Sequence, residues 1–345
     1  MKKILLIALG VVLATALAAL AAIQLPGFIS GLSANPSETP SATPTAVEYA
    51  PLSGLPVPGG SLDYPVLMAK IDNSPEARPQ VGLNDADIVF EELVEGGLSR
   101  YLVVWHSMIP AEIGPVRSIR PMDPDIALPF GGVITYSGGQ ERFVQMMIDT
   151  GLENVIDGQS GTEDFIYRSE DRIVPHNVIV RAKNLIETFS DLAPPAPAFS
   201  FASDGVSPTA AAAGKKAKRL ITSFSGYNSP SWEFDPESGM YGRIQADGQT
   251  DVDEQQRQLT ARNVVVQMVD ESSEFGYVPR ALVVGTGTAW ISTGGKTVEA
   301  TWTKTEPNAM TVFSLENGEI VTLAPGRTWI ELIPTSTGYF QANRR

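Results

Sequence analysis

The spacing of apolar residues changes character along the chain, and each change predicts a different element. Ile4 to Ile23 is an unbroken uncharged run behind Lys2 and Lys3. About 20 apolar residues suffice to cross a bilayer as a helix, and the lysines mark the end that stays in the cytoplasm. Residues 1–23 therefore read as a signal anchor or as a signal peptide, the second because Ala19-Leu20-Ala21 is an acceptable small-x-small cleavage site. Residues 24–50 lose all periodicity and turn rich in Pro, Ser and Thr, a composition that favours extended, solvated backbone. They read as a stalk.

From residue 51 the pattern alternates. Tyr64 to Ile71 and Val133 to Ser137 read as strands, and Asp87 to Val94 with Arg100 to His106 read as a hairpin around Gly96-Gly97. Met122 to Pro129, Glu141 to Thr150 and Arg181 to Ser190 carry helical spacing. Residues 51–192 thus form a mixed α/β N-terminal lobe. Prolines, small residues and a basic cluster break the pattern over 193–218, which reads as a linker. Residues 219–340 have almost no helical period. Hairpins are predicted around Gly294-Gly295 and Asn317-Gly318, so this C-terminal lobe is β-rich and barrel- or sandwich-like. The fold class is α+β.

Composition narrows the chemistry. Asp and Glu outnumber Lys and Arg by 39 to 25, a formal charge of -14, which disfavours a polyphosphate partner such as nucleic acid. There is no cysteine, and the two histidines are His106 and His176. Thiol chemistry and the usual His/Cys zinc sites are therefore excluded, and no metal or cofactor is expected.

Polar residues that are unusual in strands cluster in the N-terminal lobe. In Asp87 to Glu95, Ile88, Phe90 and Val94 share a face with Glu92, while Glu91, Leu93 and Glu95 share the other. Glu91 and Glu95 would lie roughly 13 Å apart along a strand, too far for an acid/base pair at about 5–9.5 Å. A partner carboxylate has to come from another strand, and Asp72 is the candidate; Asp72 can equally be part of an Asp-Asn-Ser-Pro turn. In Ile113 to Pro121 a Gly-Pro turn delivers Arg117 and Arg120 just before a helical segment. Two guanidinium forks suit a carboxylate or phosphate, and the same arginines can instead pair with Glu91, Glu95 or Asp87. Ser137-Gly138-Gly139 lies between a strand and a helix, where backbone can approach an anion. His176 lies between Pro175 and Asn177, and His106 closes a strand. Either can serve as a general base near neutral pH or as a hydrogen-bonded structural histidine. Ser137 lacks the G-x-S-x-G setting of a hydrolase nucleophile.

At Ala77-Arg78-Pro79-Gln80, Ala86 to Glu91, Glu95-Gly96-Gly97, Ile113 to Pro121, Gly138-Gly139 and Pro175-His176-Asn177 the chain resembles the YerB-like family of bacterial lipoproteins. Trp232 to Asp235, Tyr241 with Arg243, Arg262 to Gln267, Gly294-Gly295-Lys296, Thr301-Trp302 and Pro325 to Ile330 extend the resemblance into the C-terminal lobe. It implies an extracytoplasmic, surface-anchored protein of a Gram-positive style envelope and carries no reaction with it. The chain departs from the family pattern in three ways. It lacks the lipid-bearing cysteine, has Glu92 at an apolar position, and has Tyr136 where relatives often carry histidine.

Two functions fit. In the first, the protein binds an anionic wall component or a partner protein in the envelope. Arg117, Arg120, Ser137, Gly138, Gly139, Arg78 and Asn177 would be the binding residues, with the membrane engaged through the N-terminal segment. In the second, the protein is a metal-independent hydrolase or transferase on a cell-wall polymer, using His176 or His106 as base and Glu91 or Asp72 as its carboxylate.

Overall fold

The alternating strands of the first half and the β-branched runs of the second half meet in one sheet. The computed structural model describes residues 47–57 and 62–343. The expected signal segment and residues 24–46 of the expected stalk lie outside the described residues. The stalk's last residues are part of the fold, because Glu48–Tyr49 pairs with Pro56–Val57 and Ala50 is buried. Among the described residues no helix is long and apolar enough to cross a membrane.

Strand makes up 40% of the structure and helix 13%, so the fold is mostly β. The main sheet has twelve strands. From one edge its path runs Lys215–Lys216, Lys296–Lys304, Gly285–Thr293, Asn263–Ser272 and Thr328–Pro334, and then enters the first half through Ile88–Leu93, Ser99–Trp105, Leu67–Asp72, Val133–Tyr136 and Glu153–Ile156. The halves join where Thr328–Pro334 pairs in parallel with both Asn263–Ser272 and Ile88–Leu93. Every residue of Thr328–Pro334 is buried, as expected of a strand covered on both faces.

The period-2 pattern sorts the central strands into two cores. Met68, Ile88, Phe90, Leu102 and Val104 pack on one face; Leu67, Val89, Tyr101, Val103 and Trp105 pack on the other. Gly96 and Gly97, both at φ 73°, make the turn between Ile88–Leu93 and Ser99–Trp105 that the sequence predicts. The three expected helices form as Asp123–Ala127, Glu141–Ile148 and Ala182–Thr188.

The barrel does not form. Among the described residues no sheet closes on itself. Thr328–Pro334 has Asn263–Ser272 of the second half on one side, but its other side, which could have closed the second half, pairs with the first half, and Arg219–Ser223 belongs to a separate five-stranded sheet. The Gly294-Gly295 hairpin is present in full, with Thr293 opposite Lys296. The Asn317-Gly318 turn holds only the single bridge Ser314 to Ile320. Residues 193–218 are largely exposed but touch the fold at several points, with Ala198, Ala202, Ala210 and Ala217 buried and Lys215–Lys216 forming the sheet edge.

A buried cation spans the join. Arg243 is 2% exposed. Its Nη2 is 2.9 Å from Glu91 Oε2, its Nε 3.0 Å from Asp251 Oδ2 and its Nη1 3.3 Å from Glu331 Oε1. The rings of Trp329 and Trp232 stand 5.0 and 5.4 Å from the guanidinium carbon, within cation-π range. The same two indoles donate to Glu91 and Glu331. Three carboxylates around one cation leave excess negative charge. Burial, and next the Glu91 charge, push the Glu331 carboxyl up to about 8. Burial raises Glu91 as well.

A pH dependence follows from the sign of this shift. The folded state holds a proton on Glu331 that the unfolded chain releases near its ordinary value of 4.5. The Glu331 contribution to stability therefore falls as pH rises from about 4.5 to about 8 and is flat above that. Urea unfolding at both ends of this window should show a smaller decline in Glu331→Gln than in the parent protein. Arg243→Leu, which strands the carboxylates without a cation, should lose about 3–5 kcal/mol.

Candidate functional site

Strand Leu67–Asp72 points Met68, Lys70 and Asp72 to the same face. Asp72 is paired in register with Arg100, and Arg100 with Glu92, so three charged residues stand side by side at the end of three adjacent strands. Lys70, fully buried, forms ion pairs with Glu92 and with Asp123 Oδ1, the latter at 2.7 Å. Glu92 interrupts its apolar face because Lys70 is its counter-ion. Burial pushes the Lys70 ammonium down to about 8, with Asp123 opposing the shift.

Asp72 is the hub. Its Oδ2 accepts from His176 Nδ1 at 2.7 Å and lies 2.9 Å from Arg117 Nε, and its Oδ1 accepts from the Ser74 amide at 3.1 Å and hydroxyl at 3.0 Å. Burial opposes ionisation of Asp72, but the His176 and Ser74 bonds and the Arg117 charge outweigh it and hold the carboxyl below its usual value. A bond to a carboxylate calls for the Nδ1–H tautomer of His176. Its Nε2 then faces away, without a protein partner among the described residues, on a side chain 15% exposed. That is the orientation a carboxylate gives a histidine base.

The Ile113 to Pro121 segment straps across the strand ends. Arg117 N donates to Lys70 O, Val116 N to Val178 O, Ser137 N to Arg117 O and Ile119 N to Gly138 O. A Cβ on Gly139 would stand 3.2 Å from the Ile119 side chain, so the glycine at 139 lets the strap come close. The strap brings three arginines together. Arg120 is engaged through its Nε by Glu95 Oε2 at 2.7 Å and through its Nη1 by the Ser118 and Ile119 carbonyls. Arg100 donates to Ser118 O at 2.9 Å. Burial first, and then the positive charges of Arg120 and Arg117, push the Arg100 guanidinium down to about 10. The terminal nitrogens of Arg117 make no hydrogen bond to the described residues, and its side chain is 22% exposed.

The site thus gathers Asp72, His176, Arg117 and Arg120, with Ser137, Gly138 and Gly139 beside the strap. Asn177 sits one residue from His176 but is held by Arg168 at 3.2 Å and by Ser169 O. Arg78 is turned away, bound to Asn73 and to Gln245 of the second half. Two catalytic candidates are corrected. Glu91 is on the opposite sheet face, held by Arg243, and cannot serve a histidine. His106 is buried at the far end of the same strands, since Trp105 pairs with Leu67 while Arg100 pairs with Asp72. That places it roughly 20 Å away, where its Nε2 bonds the Leu62 and Tyr64 carbonyls and burial lowers its pKa.

Sequence reasoning missed Lys70 and Arg100, whereas Ser74 belongs to the expected Asp-Asn-Ser-Pro turn, its amide bonding Asp72 Oδ1. The signal was present. Lys70 lies in an apolar run two residues before Asp72, and Arg100 lies opposite Asp72 once the hairpin is extended by one strand.

Residues 52–194 match the family described as Protein of unknown function (DUF3048) N-terminal domain, and residues 220–330 match its C-terminal domain. The protein named "Putative lipoprotein YerB" of Bacillus subtilis (strain 168) is 30% identical over 128 residues, which are 37% of this chain and 38% of that protein's length. The crystal structure of YerB protein from Bacillus subtilis superposes with a TM-score of 0.72 at 20% identity, covering 85% of this chain and 99% of that one. That likeness establishes a shared fold. With both halves matched in order, the chain belongs to the DUF3048 family of YerB-like proteins.

Proposed function

We propose that this is an extracytoplasmic envelope protein, anchored through its N-terminal segment, that binds an anionic group of a cell-wall polymer at the Asp72 corner. A relative named as a lipoprotein supports the location. The observation that carries the binding reading is the state of the arginines. Arg100 is depressed as a cation by burial and by two neighbouring guanidinium groups, and Arg117 keeps its terminal nitrogens unpaired and partly exposed. A carboxylate or phosphate seated there would relieve the repulsion and take a bidentate pair from Arg117. A partner protein's carboxylate offers the same group and is separated from a wall polymer by the test.

A second reading rests on the Asp72–His176 bond at 2.7 Å, which orients a histidine with its Nε2 free. In it, His176 acts as general base in a metal-independent hydrolase or transferase, with Arg117 stabilising negative charge.

Purified Gram-positive walls are mixed with the full chain in detergent and sedimented. Binding should weaken steeply with salt, and Arg117→Gln should lower affinity about ten- to a hundredfold, the range of a charge-assisted bond worth about 1.5–3 kcal/mol. Undiminished sedimentation of a folded Arg117→Gln protein would overturn the binding reading. No sedimentation by the parent protein, with capture of an envelope protein instead, would transfer the site to a protein partner. Fragments released into the supernatant, and lost in His176→Ala while sedimentation persists, would establish the enzymatic reading.

A further inference from the structure

The tryptophans divide into two kinds. Trp105, Trp232, Trp302 and Trp329 are each 2% exposed or less. Their indole N–H groups donate to Gly82 O, Glu331 Oε1, Met268 O and Glu91 Oε2 respectively. Trp290 is the exception. It is half-buried on strand Gly285–Thr293, and its N–H has no partner among the described residues. A large ring left partly in water with its donor unused loses on both counts, since a buried indole gains from apolar contact and from a bonded N–H.

Its surroundings form a groove. Phe340, from the five-stranded sheet, lies against Trp290 with ring centroids 5.1 Å apart and planes at 32°. Trp290, Phe340, Lys215, Thr297, Glu299 and Asn317 line a cleft of about 690 Å³. Trp290 also lines a second cleft of about 490 Å³, with Thr286, Thr288, Asp270 and Thr335. Both fall in the roughly 300–1,000 Å³ range of ligand clefts. The first opens because strand Lys296–Lys304, next to the short edge strand Lys215–Lys216, is incompletely covered. Lys215–Lys216 pairs with it at Lys296 and Thr297, and Val312–Ser314 pairs from Thr301 onward, so residues 298–300 have no strand partner on that side.

We infer that Trp290 and Phe340 form the platform of a saccharide-binding groove that takes a neutral sugar chain. Sugar rings carry an apolar C–H face that stacks on an aromatic face, and a rim of hydroxyl and acyl groups that meets short polar side chains. In the larger cleft Trp290 and Phe340 supply the first; the free indole N–H, Glu299, Asn317 and Thr297 supply the second. Charge selects the neutral member of the class. Glu299 and Glu316 outweigh Lys215 in the larger cleft, Asp270 is the charged residue of the other, and the whole chain carries a formal charge of -14. A polyanion would be repelled here, in contrast to the arginine corner in the first half, and this groove is independent of that site.

Acrylamide quenching of tryptophan fluorescence tests the inference on the full chain in a non-glycosidic detergent, because the four buried indoles leave Trp290 as the accessible fluorophore. Chitohexaose, cellohexaose and maltohexaose are the neutral probes, and inorganic polyphosphate is the anionic one. At least one hexasaccharide should shield Trp290 from quenching, and polyphosphate should not. Trp290→Ala should lower affinity for that sugar at least tenfold by calorimetry, while Arg117→Gln should leave it unchanged. Absence of shielding by all three sugars, equal shielding by polyphosphate, or full affinity in Trp290→Ala would each overturn the inference. The shielding measurement is made on the unaltered protein, so it decides the matter even if Trp290→Ala fails to fold.

Discussion

Two glutamates lie side by side where the halves of the molecule join. Glu331 and Glu91 are in register on neighbouring parallel strands, both fully buried. Like charges directly opposite one another are destabilising in a sheet, and here no water screens them. Arg243 lies against both carboxylates and, together with the proton that burial keeps on Glu331 up to about pH 8, offsets this repulsion. It arrives from the five-stranded sheet, so the contact that permits the join also docks the second sheet on the first. A slip of one residue would turn Glu331 and Glu91 to opposite faces, only one of which holds Arg243. Replacing such buried ions with apolar residues is often neutral or favourable for stability alone. What the ions add here is choice of partner and register for a parallel pair assembled from distant parts of the chain.

The same strand carries this polarity to the other face. Glu91 and Glu92 are consecutive, so their side chains point to opposite sides of the sheet. Glu91 finds Arg243; Glu92 finds Lys70, and Lys70 in turn holds Asp123. Asp123 Oδ2 accepts the backbone N–H of Arg120 at 2.5 Å, which fixes the strap bearing Arg117 and Arg120. Placement of the arginine corner is thus continuous with the charge pairing inside the sheet. A change at Glu92 or Lys70 would be felt in the position of the strap before it was felt in any ligand contact.

What the sequence revealed and concealed follows from the range of each interaction. Strand period and the Gly96-Gly97 turn are local, and the faces assigned to Glu91 and Glu92 are those observed. The oddity of Glu92 was visible too, although its explanation, Lys70, required knowing which strand lay two places away. Asp72 and His176 both stood out, yet they lie 104 residues apart and nothing local tells that they bond to each other. His106 looked equivalent to His176 in isolation. Strand direction separates them, because antiparallel pairing of Leu67–Asp72 with Ser99–Trp105 sends His106 to the opposite end from Asp72. The barrel expectation failed for the same reason of range: Thr328–Pro334 has the character of a buried strand, and its partner is about 240 positions back in sequence, as Glu331 over Glu91 shows. Alanines in 193–218 resemble linker residues by composition, but small side chains are also what lets a segment lie close along a sheet.

The uncovered stretch of strand Lys296–Lys304 presents a different constraint. An open edge offers unpaired backbone groups to any other chain and is ordinarily a route to aggregation. Here Lys215–Lys216 and Val312–Ser314 cover the strand on either side and leave residues 298–300 open, too few to template a stable new strand. Glu299 is exposed in the gap, with its charge beside the opening. Length and charge together close the edge to another strand without filling the space in front of it. The space is retained as a groove, and Trp290, directly across from Glu299 in the ladder, forms part of its wall. A complete edge strand would have covered both the backbone and the indole. The short covering segments therefore protect the sheet while keeping an aromatic surface reachable from solvent.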